Sequence, residues 1–422
     1  MNTKRLIPVF LAAVALLAVA FPAHAQRTVA LTGATVWDGT GEPARVADIL
    51  VVDGRIVEVG HPSIPASATV LDVSGKWIIP GLVEAHAHVS GYWAPDHLSD
   101  PVDRLGAELG LYASYGVTYV NSLGDEPPEV RQLRDRQESG SLDRARVAYA
   151  GPVITAVTPA EARAAVAENA ALDVDWMKIR VDDNLGTTAK MPWDAVQAVA
   201  DATHERGLRL ATHLFYLDDS KRLLRMGSDL VAHSIRDAEV DDEVIALLKE
   251  RGTCYVPTLT REVSAFVYGG RPAFFDDPFF QERAKESEVR RVSDPAFMQG
   301  VRESNAAARY REGLGQAMRN LKLLSDAGIP IAFGTDGGPP GRFPGYFEHL
   351  ELELMVEAGL TAEEALTSAT RVAASCLEMP GVGTLEPGKW ADLLVLGSNP
   401  LEDIAATKTL ERVFVAGNEI AR

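Results

Sequence analysis

The sequence has few cysteines and a deficit of positive charge. Only Cys254 and Cys376 occur in 422 residues. Two cysteines so far apart do not make a disulfide framework, so we expect two buried thiols even if the chain is exported. Lysine and arginine total 41 against 59 aspartates and glutamates, which gives a net charge of −18. Such an acidic protein is repelled by nucleic acid and anionic lipid, so we expect neither as a partner.

The N-terminal residues differ from the rest of the chain. Lys4 and Arg5 precede an apolar stretch, and the tripeptide AHA ending at Ala25 has the form of a cleavage site. This order predicts a signal peptide over residues 1–25, cleaved after Ala25, and a periplasmic or secreted chain that begins at Gln26. The alternative is an uncleaved membrane anchor, although the apolar stretch is shorter than the ~20 residues of a membrane-spanning helix. After cleavage we expect no stable membrane insertion.

Both ends of the remaining chain have the pattern of short β-strands. Residues 28–73 contain β-branched runs broken by turns, and the pair Asp53-Gly54 is typical of a two-residue hairpin. The same pattern returns after residue 383. We therefore predict a composite β domain, a small sandwich built from residues 26–76 and 383–422.

The middle of the chain alternates short apolar runs with helical stretches such as "PWDAVQAVADATHERG" and "DDEVIALLKERG". Eight strand–helix units predict a (β/α)8 barrel of the TIM type over residues 77–382. The predicted strands are Ile78–Val83, Val117–Asn121, Arg146–Ala150, Trp176–Val181, Leu208–His213, Asp229–His233, Thr253–Pro257 and Ile331–Asp336. Residues 258–330 are too long for a plain connection, and predict either a lid or pocket wall or a longer outer helix pair.

Four of the nine histidines stand at predicted strand ends: His86, His88, His213 and His233. Because side chains alternate along a strand, His86 and His88 point to the same side. Catalytic residues of α/β barrels gather at the C-terminal ends of the strands. Each histidine alone is compatible with ordinary packing, but four at the same end of a barrel indicate a metal site.

Two charged residues share this end of the predicted barrel. Asp336 ends the eighth strand in "IAFGTDGG", although an Asp before two glycines is also typical of a turn. Lys178 lies on the fourth strand among apolar neighbours. A buried ammonium must be neutralised or paired, and an ion pair with Asp182 or Asp183 is the simplest interpretation from the residues alone.

Taken together, these segments resemble the amidohydrolase superfamily over nearly the whole chain after the leader. The matching motifs are "PGLVEAHAH", "WMKI", "ATH", "VAH" and "GTDGG", followed by the tail "GLTAEEALTSATRVAASCL…GTLEPGKWADLLVLGSNPLEDI". Within the superfamily, the chain looks most like metal-dependent prolidases and related carboxypeptidases, and its tail looks like imidazolonepropionases.

The resemblance implies a site with two divalent metal ions, of which zinc is the usual one. One ion would be held by His86, His88 and Asp336, the other by His213 and His233. Lys178, carboxylated on its side-chain nitrogen, would bridge the two ions. Asp336 would also be the catalytic residue, taking a proton from the attacking water and delivering it to the leaving amine.

The substrate is less well defined by the sequence. Glu84 replaces the Asp that many relatives have before the histidine pair, and no Gly-Gly-His stretch follows the third strand. An arginine just beyond a strand end can hold a carboxylate bidentately. Candidate substrate-binding residues of this kind, together with two tyrosines, are Arg180, Tyr216, Tyr255, Arg261 and Arg342.

We therefore expect an exported amidohydrolase that cleaves amide or peptide C–N bonds of a small molecule or dipeptide, in the manner of a dipeptidase or carboxypeptidase. A cyclic amide hydrolase, acting on an imidazolone or hydantoin, or a lactone hydrolase is the alternative. A non-catalytic scaffold would have lost ligands, whereas all six positions are filled. The sequence leaves a homo-oligomer open.

Overall fold

The computed structural model describes residues 27–421, within which the chain forms fifteen β-strands. In chain order these are β1 Thr28–Val36, β2 Arg45–Val52, β3 Arg55–Gly60, β4 Thr69–Asp72, β5 Trp77–Pro80, β6 Leu82–Ala87, β7 Val117–Ser122, β8 Arg146–Tyr149, β9 Trp176–Arg180, β10 Arg209–His213, β11 Leu230–Ala232, β12 Cys254–Val256, β13 Leu393–Leu396, β14 Leu410–Val415 and β15 Asn418–Glu419. The predicted signal peptide and Gln26 lie outside the described residues. Over residues 27–421, no helix combines the length and the apolar character needed to cross a membrane.

Helices separate most of the strands in the middle of the chain. They are α1 Pro101–Ser114, α2 Val130–Arg134, α3 Pro159–Ala171, α4 Trp193–His204, α5 Leu217–Met226, α6 Asp242–Arg251, α7 Leu259–Ser264, α8 Pro278–Gln281, α9 Glu286–Val292, α10 Pro295–Glu303, α11 Asn305–Asp326, α12 Tyr346–Glu357, α13 Ala362–Thr367 and α14 Ala373–Cys376. Helices α4 and α6 confirm the two helical stretches quoted above. Gly252 ends α6 in the left-handed conformation, where a glycine costs least.

The two ends of the described chain meet in one eight-stranded sheet. Its order is β15-β14-β13-β5-β1-β2-β3, with β4 paired to β1. Asp53 and Gly54 turn β2 back into antiparallel β3 with φ of 47° and 84°, which confirms the predicted hairpin. Leu31, Ile49 and Phe414 belong to a hydrophobic cluster on this sheet that is separate from the main core. The exact domain boundaries and the sandwich form stay predictions.

The first predicted barrel strand, Ile78–Val83, is wrong in its extent. Its first half belongs to β5, which pairs with β1 and β13, whereas β6 begins only at Leu82 and pairs with β7. Gly81 stands between them, and a Cβ there would lie 2.2 Å from Thr118 Oγ1. The apolar run is continuous because both halves are buried, so hydrophobicity alone does not show where the chain changes sheets.

The remaining strands form two parallel sheets, β6-β7-β8 and β12-β11-β10-β9, which gives the α/β arrangement that the alternating pattern predicts. Isolated bridges connect them: Ile154 pairs with Ile179, Ile331 with Tyr255, and Gly337 with Ala87. The eighth predicted strand is not a regular strand, and Ile331–Asp336 form an irregular eighth segment. The segment instead makes interrupted hydrogen bonds to β12 and β6, and Asp336 turns out of it with φ 57°.

Residues 258–330 form part of a cavity wall and also contain one long helix. Helix α7 lies directly after β12 and brings Arg261 to the wall of a cavity. Helix α11 is a 22-residue helix in contact with α7 and α12. Between them, Phe274 and Phe280 pack against Phe343, which follows the eighth segment. Residues 258–330 therefore pack against the loop that follows Asp336.

The prediction of two buried thiols is wrong, because Cys254 and Cys376 form a disulfide. Cys254 begins β12 and Cys376 ends α14, and their Cα atoms are 6.0 Å apart. Distance along the sequence did not reveal this, since the fold brings the two elements together across 122 residues. Among residues 27–421 there is no free cysteine.

We expect that replacing both cysteines by serine lowers the free energy of unfolding by about 2–5 kcal/mol, because the bond restricts the unfolded chain. Chemical denaturation of the variant beside the oxidised wild-type protein measures the loss. Dithiothreitol is the control: it should destabilise the wild type and leave the variant unchanged. Two titratable thiols in unreduced wild-type protein would contradict the disulfide.

Candidate metal centre

Three potential metal ligands meet where β6 and the eighth segment end. One ligand atom from each of His86, His88 and Asp336 lies within 4.8 Å of the others. His88 Nε2 is 2.9 Å from Asp336 Oδ1, and His86 Nε2 is 3.7 Å from the same oxygen. Asp336 reaches this point because its positive φ turns the chain at the strand end. Aspartate tolerates that conformation better than most residues.

Lys178 on β9 points to the same place. Its Nζ is 3.1 Å from His86 Nε2, and the residue is only 3% exposed. Burial lowers the pKa of Lys178 to about 8, so the neutral amine is accessible near physiological pH. The ion pair with Asp182 or Asp183 considered above is absent from the described residues, since Asp182 contacts His213 instead.

His213 and His233 complete the group from β10 and from the end of β11. The ring centroids of His213 and His233 are 4.2 Å apart, and those of His233 and His86 are 4.5 Å apart. The structure thus brings together all six residues that the sequence singled out as ligands.

Three of the four imidazoles are held through one ring nitrogen by a group behind the site. His88 Nδ1 contacts the carbonyl oxygen of Gly124 at 3.0 Å. His213 Nε2 contacts Asp182 Oδ2 at 2.9 Å, and His233 Nδ1 contacts Thr258 Oγ1 at 2.8 Å. Such contacts fix ring orientation and leave the second nitrogen for a metal.

The charge states suit a divalent cation. Burial holds the pKa of His86 and of His233 well below the usual range and lowers that of His213 to about 3, so these rings are neutral. Burial alone raises the pKa of Asp336, but Arg342 and His88 hold it well below its usual value. Neutral imidazoles and an ionised carboxylate are the forms that bind metals, so the residues present fit the predicted ions.

Glu84 fixes the two chain segments that carry ligands. Its Oε1 accepts hydrogen bonds from the backbone N–H groups of His86, at 2.7 Å, and Thr335, at 3.1 Å. The side chain is fully buried, and burial together with Glu348 raises its pKa well above the usual range. Glutamate at this position therefore joins β6 to the eighth segment behind the site.

A cavity of about 560 Å³ opens over these residues, a size typical of small-ligand sites. Three of the five candidate substrate residues line it, namely Arg180, Arg261 and Arg342. Arg342 Nη1 bonds to Asp336 Oδ2, and Arg261 Nε is 3.7 Å from the same atom.

The two candidate tyrosines are not among the residues that line this cavity. The hydroxyl of Tyr216 donates to Asp183 Oδ1 at 2.8 Å. Tyr255 is fully buried, and its hydroxyl accepts the backbone N–H of Ile235 at 2.8 Å. Both hydroxyls thus have partners within the protein.

Sequence reasoning missed the roles of several residues of the site. Asp182 and Thr258 hold histidines, while Asp125 and Thr155 line the cavity. Asp182, Thr258 and Asp125 lie within three residues of a strand's C-terminal end. That position was a usable signal, since functional residues concentrate there.

The amidohydrolase family model matches residues 77–420, which covers both parallel sheets and the C-terminal strands. The chain belongs to the amidohydrolase family. This confirms the resemblance drawn from the motifs, and this amidohydrolase is a hydrolase that acts on carbon–nitrogen bonds.

Relatives match this amidohydrolase over nearly its whole length. An uncharacterised protein of Mycobacterium tuberculosis is 27% identical over 395 residues, covering 90% of this chain and 94% of its own. An imidazolonepropionase of Deinococcus deserti is 25% identical over 417 residues, covering 89% and 92%. Among solved structures, a provisionally assigned prolidase from Bifidobacterium longum is similar with a TM-score of 0.76 and 29% identity, covering 94% and 95%.

Proposed function

We propose that the protein is an exported, metal-dependent amidohydrolase that cleaves the amide bond of dipeptides or related N-acylated amino acids. The observation that carries this proposal is the convergence of four histidines, Lys178 and Asp336 in one cavity. In this proposal the two parallel sheets and the eighth segment act as a closed barrel that holds these residues at one end.

The predicted ions have defined ligands within the set. His86, His88 and Asp336 would hold one, His213 and His233 the other, and carboxylated Lys178 would bridge them. Imidazole and carboxylate donors favour zinc. Two such ions make water more acidic and polarise a carbonyl group.

Asp336 performs the proton transfer in this proposal. Its carboxylate accepts a proton from the attacking water and delivers it to the nitrogen of the breaking C–N bond, so the products are a carboxylic acid and an amine. Arg342 and Arg261 lie against Oδ2, which favours the ionised form before the transfer.

The arginines favour substrates with a carboxylate. Arg180, Arg261 and Arg342 line the cavity from three different segments, and a guanidinium binds carboxylate with two parallel hydrogen bonds. The three arginines provide positive charge for a substrate carboxylate, a role for which the chain has no Gly-Gly-His stretch after the third predicted strand. A prolidase-like substrate, with its C-terminal carboxylate, matches this charge.

A cyclic amide is the second candidate, because the imidazolonepropionase relative is matched along nearly its whole length. Dipeptides, N-acylamino acids, hydantoins, imidazolones and lactones, tested as one panel, separate the candidates. Cleavage of linear amides in preference to rings supports the proposal, and the reverse order supports the second candidate.

We expect about two divalent ions per chain in protein purified without chelator, as measured by elemental analysis of the bound metal. Dialysis against a chelator should remove both the ions and the activity, and zinc should restore both. The control is the His86→Ala, His213→Ala double variant, which loses one ligand of each predicted ion. An active wild-type preparation without bound metal would overturn the proposal.

Export is part of the proposal. The disulfide between Cys254 and Cys376 fits an oxidising compartment, where such bonds form and persist. The disulfide supports export independently of the predicted signal peptide, because the two lie in separate parts of the chain. Fractionation of cells that express the full chain tests this, with the mature N-terminus expected at Gln26.

A further inference from the structure

The cavity over the candidate metal centre has one carboxylate that the proposed mechanism does not use. Among the described residues that line it, the acidic side chains are those of Asp336 and Asp125. Asp336 is assigned to metal binding and proton transfer. Asp125 is exposed and is not among the predicted ligands.

The backbone around Asp125 is held in place by the site. The carbonyl oxygen of Gly124 contacts His88 Nδ1, and the N–H of Gly124 donates to buried Glu126 Oε1 at 2.7 Å. Glu126 Oε2 also accepts the N–H of Gly151, at 2.9 Å. Asp125 itself has φ 64°, a left-handed conformation that aspartate adopts more readily than most residues other than glycine. The loop thus presents its carboxylate from a fixed position.

The charged side chains that line the cavity come from different segments of the chain. Asp125 follows β7 of the three-stranded sheet, whereas Arg261 follows β12 of the four-stranded sheet and Arg342 follows the eighth segment. Arg261 and Arg342 both lie against Asp336. A molecule that contacts both regions meets two guanidinium groups beside Asp336 in one and the carboxylate of Asp125 in the other.

A zwitterion carries the complementary charges. An unblocked dipeptide has an ammonium at one end and a carboxylate at the other, with the scissile bond between them. N-acylamino acids and cyclic amides have no ammonium in that place. The carboxylate of Asp125 therefore favours unblocked dipeptides among the substrate classes considered above.

We propose that Asp125 binds the free α-ammonium of the substrate, so that the preferred substrates are dipeptides with an unblocked N-terminus. This rests on the proposed amide hydrolysis, within which it distinguishes dipeptides from N-acylated amino acids. Asp125 is a specificity-determining residue, and it takes no part in proton transfer.

The test compares alanyl-leucine with N-acetyl-alanyl-leucine as substrates of the zinc-loaded protein. We expect the wild type to prefer the free dipeptide at least tenfold in kcat/KM. In Asp125→Asn this preference should fall by about tenfold to a hundredfold, mainly through a higher KM for the free dipeptide, as expected for loss of a charged hydrogen bond.

Asparagine is chosen because its amide oxygen can still accept the N–H of Val153, which Asp125 Oδ1 accepts at 3.0 Å. Asp218→Asn, an exposed change on α5 away from the cavity, is the matched control for net charge. Equal wild-type rates with both peptides would overturn the inference. So would an Asp125→Asn variant that loses the same factor on both.

A binding measurement separates this inference from the proposed function. Calorimetric titration of both peptides into the zinc-loaded protein reports recognition whether or not they are cleaved. Tighter wild-type binding of the free dipeptide, lost in Asp125→Asn, supports the role of Asp125 even if hydrolysis fails. Equal affinities for the two peptides overturn it, even if both are hydrolysed.

Discussion

Replacing Asp336 by asparagine should lower kcat by about 10²–10⁴-fold, the usual contribution of a positioned proton-transfer group. Asparagine has nearly the same shape and keeps an oxygen that can face His88, but it cannot accept the proton of the attacking water. Because that oxygen remains a potential ligand, we expect the variant to retain much of its metal. Steady-state kinetics on the best substrate of the panel and elemental analysis of the same preparation measure both quantities.

The control for this variant is Asp218→Asn, which makes the same chemical change at an exposed position outside the cavity. Its kcat and metal content should equal those of the wild type. A near-normal kcat in Asp336→Asn would remove Asp336 from the proton transfer. A parallel loss of metal and activity would make it a ligand only.

The histidines show how much of the site the sequence contained. A strand alternates its faces, so the spacing of His86 and His88 predicted that they share a side, and their positions at strand ends predicted where His213 and His233 lie. These are local properties, which can be recognised in a single sequence. The structure accordingly brings the four imidazoles together.

The sequence did not predict features that depend on contacts between distant segments. The disulfide between Cys254 and Cys376 depends on how β12 and α14 pack. The division between β5 and β6 depends on which sheet each half of one apolar run joins. Hydrophobic pattern reports burial, but it does not report which partner covers the side chain.

The polar residues behind the ligands form an intermediate case. Asp182 and Thr258 follow strands that carry or neighbour the ligands, so their positions were informative, yet their partners were not. The sequence paired Lys178 with Asp182 or Asp183, because a buried ammonium needs an anion. The structure places Asp182 on His213 and leaves Lys178 beside His86. A buried lysine next to an imidazole therefore needs another way to lose its positive charge.

Replacing Lys178 by alanine should remove bound metal and lower kcat more than about 100-fold, since loss of a direct ligand exceeds the usual effect of a residue behind one. The Lys178 side chain is buried, with Nζ 3.1 Å from His86 Nε2. An ammonium there would repel a cation, whereas a carboxylated nitrogen would supply two oxygens that share one negative charge. Elemental analysis and kcat measure the loss, and thermal unfolding verifies that the variant is folded.

Chemical rescue of Lys178→Ala distinguishes a carboxylated lysine from a free amine. Alanine leaves space where the lysine side chain lay, so a small acid can supply the missing oxygens from solution. We expect acetate or propionate to restore metal binding and part of kcat, and methylamine or ethylamine to restore neither. Lys178→Arg, which keeps a cation but cannot be carboxylated in the same way, should be as inactive as the alanine variant. Rescue by amines instead of acids would show that Lys178 acts as an amine, and that the ions have no carboxylated bridge.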